Sequence, residues 1–258
     1  ILREVWRKEK LPKEMAKGQF VPLYKKGAVD AMENYRFICL LPHHFKLLST
    51  LVYNRVVRET EWYLPDSQAG FRKGRGGRDN VFILQSLINW LMKHGMECVL
   101  TFIDYSAAFD SVSHRFMDEA LGEARASNKV RAMVRAIYSV ATAEVRVAKD
   151  GSDEFATSQP FPINRGVVQG DVLSPWLFII ALARIRELSA EILLKLQGGE
   201  RGGVQMGDVI VEELAYADDD AKVDDTVQAA QEKLDVVDKL STELADLGIN
   251  VRKTKVMH

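Results

Sequence analysis

Two stretches of this sequence run apolar and then end on carboxylates. One is Val99-Leu100-Thr101-Phe102-Ile103-Asp104. The other is Leu214-Ala215-Tyr216-Ala217-Asp218-Asp219-Asp220, fed by Val209, Ile210 and Val211. Ionised carboxylates set beside each other are costly to bury unless cations neutralise them, so such a cluster is either a solvated polar turn or a metal-holding site. Both runs are β-prone. If the two strands lie side by side, Asp104 and Asp218 face each other, as phosphoryl transfer on two metal ions requires. Oxygen-only donors favour Mg²⁺ or Mn²⁺ over zinc, and neither the five histidines nor Cys39 and Cys98 show metal-ligand spacing. Magnesium is the first choice.

The elements that must position these carboxylates follow from periodicity and punctuation. Strands are expected over 20–24 and 37–41, and apolar spacing at Phe45, Leu48, Val52 and Val56 predicts a helix over 45–63, broken by Pro65. A basic, glycine-rich loop over 70–78 leads into a helix capped by Asp79 or Asn80 and running to about 93. Ser113 caps a helix to 123, and another spans 129–140. Strands over 144–148 and 161–164 flank an Asp150-Gly151 turn. Ser174 and Pro175 announce a long buried helix over 176–196. A glycine-rich loop over 198–207 precedes the Asp218 strand, and Asp225 with Gln228 forms a capping box for a last helix ending at Gly248.

With 258 residues, 47% apolar and 28% charged, the chain can bury a sizeable core. The purest apolar stretch, 176–194, is interrupted by Arg184, Arg186, Glu187 and Glu191, which excludes a membrane span there. The net charge of −1 hides an asymmetry: basic residues crowd the first thirty positions and the segment Arg72, Lys73, Arg75, Arg78, whereas acids dominate the last fifty. Separation of this kind suits a protein that meets a polyanion with one lobe and binds cations in the other; the plainer reading is a solvated N-terminal helix. The start at Ile1 and the stop at His258 suggest a domain cut from a longer polyprotein.

In order along the chain, several segments carry a family resemblance. Phe102-Ile103-Asp104-Tyr105-Ser106-Ala107-Ala108-Phe109-Asp110, Val168-Gln169-Gly170-Asp171-Val172-Leu173-Ser174-Pro175, Tyr216-Ala217-Asp218-Asp219 and Gly248-Ile249-Asn250-Val251-Arg252-Lys253-Thr254-Lys255 resemble the four catalytic motifs of reverse transcriptases. Upstream, Val21-Pro22-Leu23-Tyr24-Lys25-Lys26-Gly27, Asn34-Tyr35-Arg36 and Gln68-Ala69-Gly70-Phe71-Arg72 resemble their fingers motifs. The likeness is greatest to the enzymes of non-long-terminal-repeat retrotransposons.

The resemblance implies an α+β right-hand polymerase. Fingers would come from 1–98 and an antiparallel palm sheet backed by helices from 99–258, with some fingers strands near 143–165 and the thumb beyond residue 258. It implies an RNA template, a DNA primer and deoxynucleoside triphosphates as partners, and nuclear or cytoplasmic residence for an active retrotransposon product. Asp104, Asp218 and Asp219 would hold two Mg²⁺ ions. Lys25 (or Lys26) and Arg36 would meet the triphosphate or template. Phe109 would exclude a ribose 2′-hydroxyl, unless it is an ordinary core phenylalanine. Gln169 and Gly170 would lie beside the incoming nucleotide, and Lys253 (or Lys255) beside the leaving pyrophosphate. Arg72, Lys73 and Arg75 would follow nucleic-acid backbone.

One run departs from the family pattern. Asp220-Ala221-Lys222-Val223-Asp224 replaces the usual small or apolar residues, and alternation predicts a half-exposed strand with Asp220, Lys222 and Asp224 facing solvent. Asp220 would then add negative charge beside the metals, as in a catalytically silent copy that only binds nucleic acid. A palm polymerase making RNA is a further alternative, disfavoured by Phe109.

Overall fold

The computed structural model describes residues 1–148, 155–196 and 202–258. In chain order its main elements are α1 (Leu2–Lys8), β1 (Lys17–Tyr24), β2 (Tyr35–Leu40), α2 (His43–Thr60), α3 (Gly77–His94), β3 (Val99–Ile103) and the single turn α4 (Ala108–Ser111). Then come α5 (His114–Glu123), α6 (Asn128–Val140), β4 (Thr142–Ala148), β5 (Phe155–Thr157), β6 (Phe161–Pro162) and α7 (Ser174–Leu196). The last are β7 (Val204–Met206), β8 (Val209–Val211), β9 (Glu213–Tyr216), β10 (Asp219–Asp224), α8 (Val227–Ala245) and β11 (Lys255–Met257). The fold class is α+β, as expected.

Two sheets organise the chain. In the first, of order β2-β1-β4-β5 with β6 also on β4, β1 pairs antiparallel with β2 and parallel with β4. The second, of order β11-β3-β10-β9, is antiparallel throughout, with Asp220 opposite Ile103 and Asp224 opposite Val99. A core of α2, α5, α6, α7 and α8 joins the two, and residues Trp176 to Ala183 of α7 are all buried because that helix is apolar on every side. On the opposite face of the second sheet, Leu87 and Leu91 of α3 pack with Leu100 and Val223.

Several sequence expectations need correction. Helix α3 begins at Gly77, because the Asp79 carboxylate accepts from the Gly76 N–H (2.8 Å) from inside the first turn instead of standing outside it as the cap. Thr226, not Asp225, caps α8, its Oγ1 accepting from the Ala229 N–H. The glycine-rich loop contains β7, and the apolar run from Val209 to Tyr216 is two strands, β8 turning back on β7 before β9 begins. The Asp150-Gly151 turn and positions 198–201 lie outside the described residues.

The largest correction concerns β10. Asp220, Lys222 and Asp224 share a face, as alternation requires, but that face is buried: they are 5%, 5% and 0% exposed. It lies under α7 and α8, which send Arg186 and Lys233 into it. Lys222 Nζ contacts both Glu213 and Asp220 (3.1 Å to the latter), Arg186 sits 3.3 Å from Glu213 and 3.7 Å from Asp220, and Lys233 pairs with Asp224. Burial pushes Glu213 up, but the Arg186 and Lys222 charges outweigh it and hold this carboxyl well below its ordinary range. Asp220 therefore points away from the turn and into a charge-balanced network. A cavity of about 550 Å³, lined in part by Trp62, Tyr63, Arg186, Glu213, Lys222 and Lys233, opens on this side of the sheet.

Candidate active site

The carboxylates converge because β3 and the β9–β10 hairpin are neighbours. Tyr216 pairs with Asp219, leaving Ala217-Asp218 as a two-residue turn, and the register that sets Asp220 against Ile103 carries Asp219 toward Asp104 one step further on. Asp104 and Asp218 are half-buried and Asp219 is exposed. Burial raises the Asp218 pKa, the charges of Asp219 and Asp104 raise it further, and Arg36 opposes them from β2. The strand holding Asp104 is fixed by the segment after α8: Asn250 N–H donates to the Asp104 carbonyl (2.7 Å) and Asp104 N–H to Thr254 Oγ1 (3.3 Å). That segment also brings Lys253 Nζ to 3.6 Å from Asp104 Oδ1.

Among the described residues, no three carboxylate, imidazole or thiol side chains close on a single point. The donor set nevertheless fits a hard divalent cation, offering only oxygens, in a partly desolvated place where each ionised carboxylate penalises the next. Arg36 and Lys253 reach it from two sides.

The loop between β6 and α7 closes another side. Gln169 donates its amide to Asp110 Oδ1 (3.0 Å), and its backbone carbonyl accepts from the Cys39 N–H (2.7 Å). Gly170 has φ +113°, and a Cβ there would lie 2.6 Å from the Cys39 carbonyl oxygen. The close approach that demands glycine is thus to β2 of the first sheet. Buried Asp171 accepts from Ser49 Oγ (2.6 Å), tying the same loop to α2. Lys25, at the end of β1, lies within electrostatic reach of Asp110.

Phe109, on α4, is half-buried: one face stacks on Phe178 (4.4 Å between centroids) and the edge of Phe71 meets it at 6.4 Å. Its packing is that of a core residue at the margin of the site.

The three basic residues expected to follow nucleic-acid backbone, Arg72, Lys73 and Arg75, fare differently. Arg72 is 8% exposed, its guanidinium donating to Glu61 (2.9 Å), the Pro65 carbonyl (2.7 Å) and the Gln68 carbonyl (3.1 Å). Arg75 is bound to Asp66 through a carbonyl and a carboxylate oxygen. Lys73 is exposed. Two residues that the sequence offered only as members of a fingers motif, with no role of their own, stand beside the turn. Phe71 faces both Phe109 and Tyr216, and Gln68, fully buried, makes hydrogen bonds to Ala217 on both its N–H and its C=O. Gly70 was the available signal, since a Cβ there would lie 2.4 Å from Ala217 N.

Residues 23–258 match the family model described as reverse transcriptase (RNA-dependent DNA polymerase). The Pol polyprotein of the type-2 retrotransposable element R2DM of Drosophila melanogaster is 28% identical over 93% of this chain and 21% of its own length. That of the type-1 element R2 of Bradysia coprophila is 31% identical over 69% of this chain and 18% of its length. Among solved structures, a Candida albicans telomerase bound to a fragment of telomeric RNA superposes with a TM-score of 0.63 at 12% identity, over 100% of this chain and 47% of that one. An apo Candida tropicalis telomerase gives 0.59 at 14% identity, over 96% and 51%.

The chain belongs to the reverse transcriptase family, in the group carried by non-long-terminal-repeat retrotransposons. It spans about a fifth of the length of these two curated relatives.

Proposed function

We propose that this chain is the polymerase domain of a larger retrotransposon protein and extends a DNA primer on an RNA template. The observation that carries the reading is the trio Asp104, Asp218 and Asp219, set together by neighbouring strand ends and outnumbering the two cations that approach them, Arg36 and Lys253, while Asp218 is already penalised by burial. Two divalent ions, Mg²⁺ or in its place Mn²⁺, would there activate the primer 3′-hydroxyl and stabilise the departing pyrophosphate.

The remaining roles belong to the chain itself. Asp104 and Asp218 hold the ions and Asp219 supplements them. Arg36 and Lys25 neutralise the incoming triphosphate, and Lys253, beside Asp104, the leaving group. Phe109, stiffened by Phe178, presents an edge that excludes a 2′-hydroxyl and selects deoxynucleotides. Gln169 and Gly170 shape the floor of the nucleotide site from a loop fastened to β2. Lys73 follows the template backbone, while Arg72 and Arg75 act by fixing the loop that carries it. Residues 1–98 with the strands near 143–165 form the fingers and the rest of 99–258 the palm; the shared sheet of β1, β2 and β4 supports that grouping. Substrate, template and primer enter as water-borne partners, and among the described residues no helix is long and apolar enough to cross a membrane.

The silent-copy alternative drew on Asp220 and Lys222, and their mutual pairing removes that argument. Primer extension on an RNA template with Mg²⁺ tests the proposal. Deoxynucleotide incorporation abolished in Asp218→Asn supports it, and incorporation unchanged by that substitution overturns the metal assignment. Ribonucleotides offered in parallel test Phe109, whose replacement by valine is expected to admit them.

A further inference from the structure

We propose that Gln68 is a positioning residue for the catalytic turn, holding Ala217 in the conformation that aims the Asp218 carboxylate. What the turn does rests on the polymerase reading above; whether the turn is held this way does not.

The turn needs support from outside its own hairpin. Two-residue hairpin loops favour glycine or asparagine, because their backbones enter the left-handed region. Here Ala217 has φ +57°, a conformation that a residue with a Cβ adopts only under strain. Strain of this kind at a functional site persists only where surrounding contacts impose it.

Gln68 supplies those contacts. Its Oε1 accepts from the Ala217 N–H (2.9 Å) and from the Gly70 N–H (2.9 Å), and its Nε2 donates to the Ala217 carbonyl (3.2 Å). Two backbone N–H groups converging on one atom fix which end of the amide is oxygen. Both peptide groups of the strained residue are thereby satisfied by one side chain that is 0% exposed.

The segment carrying Gln68 is itself fastened. Ala69 N–H donates to the Ala215 carbonyl (2.8 Å) and Ala215 N–H to the Ser67 carbonyl (3.0 Å), so residues 67–69 line the free edge of β9 as a short parallel strip. Arg72 in turn donates to the Gln68 carbonyl. At Gly70 any side chain would strike Ala217, so the strip and the turn are in direct backbone contact. Phe71, the next residue, reaches Tyr216 and Phe109, so one fastened segment touches both the carboxylate turn and the aromatic proposed to filter sugars.

The test compares the full chain with Gln68→Met, which keeps volume and removes all three hydrogen bonds, with Gln68→Glu, and with Ser67→Ala as a neighbour that contacts Glu213 and not the turn. In Gln68→Met, amide hydrogen exchange at Ala217 is expected to rise by about 10-fold or more, while the β10 amide of Lys222 keeps its protection. The turnover number for deoxynucleotide incorporation is expected to fall about 10- to 100-fold with KM within about twofold, because a misaimed carboxylate damages the reacting geometry more than substrate binding.

Gln68→Glu is expected to recover activity as pH is lowered, since a protonated acid restores the donor to the Ala217 carbonyl while its other oxygen still accepts. A purely structural glutamine would show no such profile. Unchanged Ala217 exchange in Gln68→Met, or protection lost equally at Ala217 and Lys222, overturns the proposal. If the unmodified chain incorporates nothing, the polymerase reading fails by itself and the exchange comparison still decides the role of Gln68.

Discussion

Carboxylates one to six residues apart on one hairpin meet opposite surroundings. At the turn, the charges acting most strongly on Asp218 are those of Asp219 and Asp104, ahead of the single opposing Arg36. Beneath α7 and α8, Glu213, Asp220 and Asp224 are met by Arg186, Lys222 and Lys233, one cation for each anion. The second group is more deeply buried and has a cation for each anion, although burial still raises Asp224; the first is more exposed, and the neighbouring carboxylates add to what burial costs Asp218. Depth of burial therefore does not separate site from scaffold in this protein. What separates them is how completely the chain supplies counter-charges: three cations for three anions beneath the helices, against Arg36 and Lys253 for three anions at the turn.

Breaking each side of this contrast should produce different losses. Asp218→Asn is expected to reduce incorporation by at least about a hundredfold while the protein stays folded, as primer extension and circular dichroism together would show. Lys222→Met does the reverse, leaving Asp220 and Glu213 buried with less compensation. It should cost about 3–5 kcal/mol of stability, read from urea unfolding, and adding Asp220→Leu should return most of it because one charge of each sign is then gone.

Acidification sharpens the comparison by sign. The depressed Glu213 carboxyl contributes stability above its unfolded pKa near the ordinary value of 4.5, and that contribution is lost as pH falls through its lower folded value. Asp218 has a raised folded pKa, so its ionised form costs stability above that pKa, and the cost shrinks as pH falls below it and is gone below the unfolded value near 3.8. Without metal, the stability advantage of Asp218→Asn over the unmodified chain should therefore shrink as pH falls from above the raised folded pKa toward the ordinary value of 3.8. Buried Asp171 and Asp224, also raised, affect both proteins alike and cancel in the difference. The smallest effect expected is thermal. Millimolar Mg²⁺ should raise Tm by a few degrees in the unmodified chain and leave Asp218→Asn where it was.

Much of this was legible in the residues. An apolar run ending in a carboxylate is a local signal, and two of them led to the expectation that Asp104 and Asp218 face each other; Asp219 entered only through the family resemblance, and the turn between β9 and β10 was not read from sequence. Helices declared themselves through spacing and caps to within a few residues, and the ordered motifs gave the family. Alternation correctly grouped Asp220, Lys222 and Asp224 on one face, but it cannot say what covers that face. Arg186 read as a charge interrupting an apolar helix and Lys233 drew no reading, and only packing, which buries both beside β10, reveals them as partners. A cation at a buried position of a helical stripe is the signal to watch for. Arg72 failed for a related reason: its hydrogen bonds to backbone carbonyls four and seven residues away are made by the fold of the loop, and no side-chain pattern announces them. Gly170 was read as lying beside the incoming nucleotide; the neighbour that demands glycine in the fold is the Cys39 carbonyl of β2, which no local pattern announces.

The contrast itself is tested most directly by Mn²⁺ binding to the purified chain, followed by electron paramagnetic resonance, with Asp218→Asn and Asp220→Asn measured side by side. These substitutions remove the same charge two residues apart on the same hairpin. The account predicts that Asp218→Asn loses tight Mn²⁺ binding and Asp220→Asn retains it. Loss of binding in Asp220→Asn equal to that in Asp218→Asn, with both proteins folded, would contradict it.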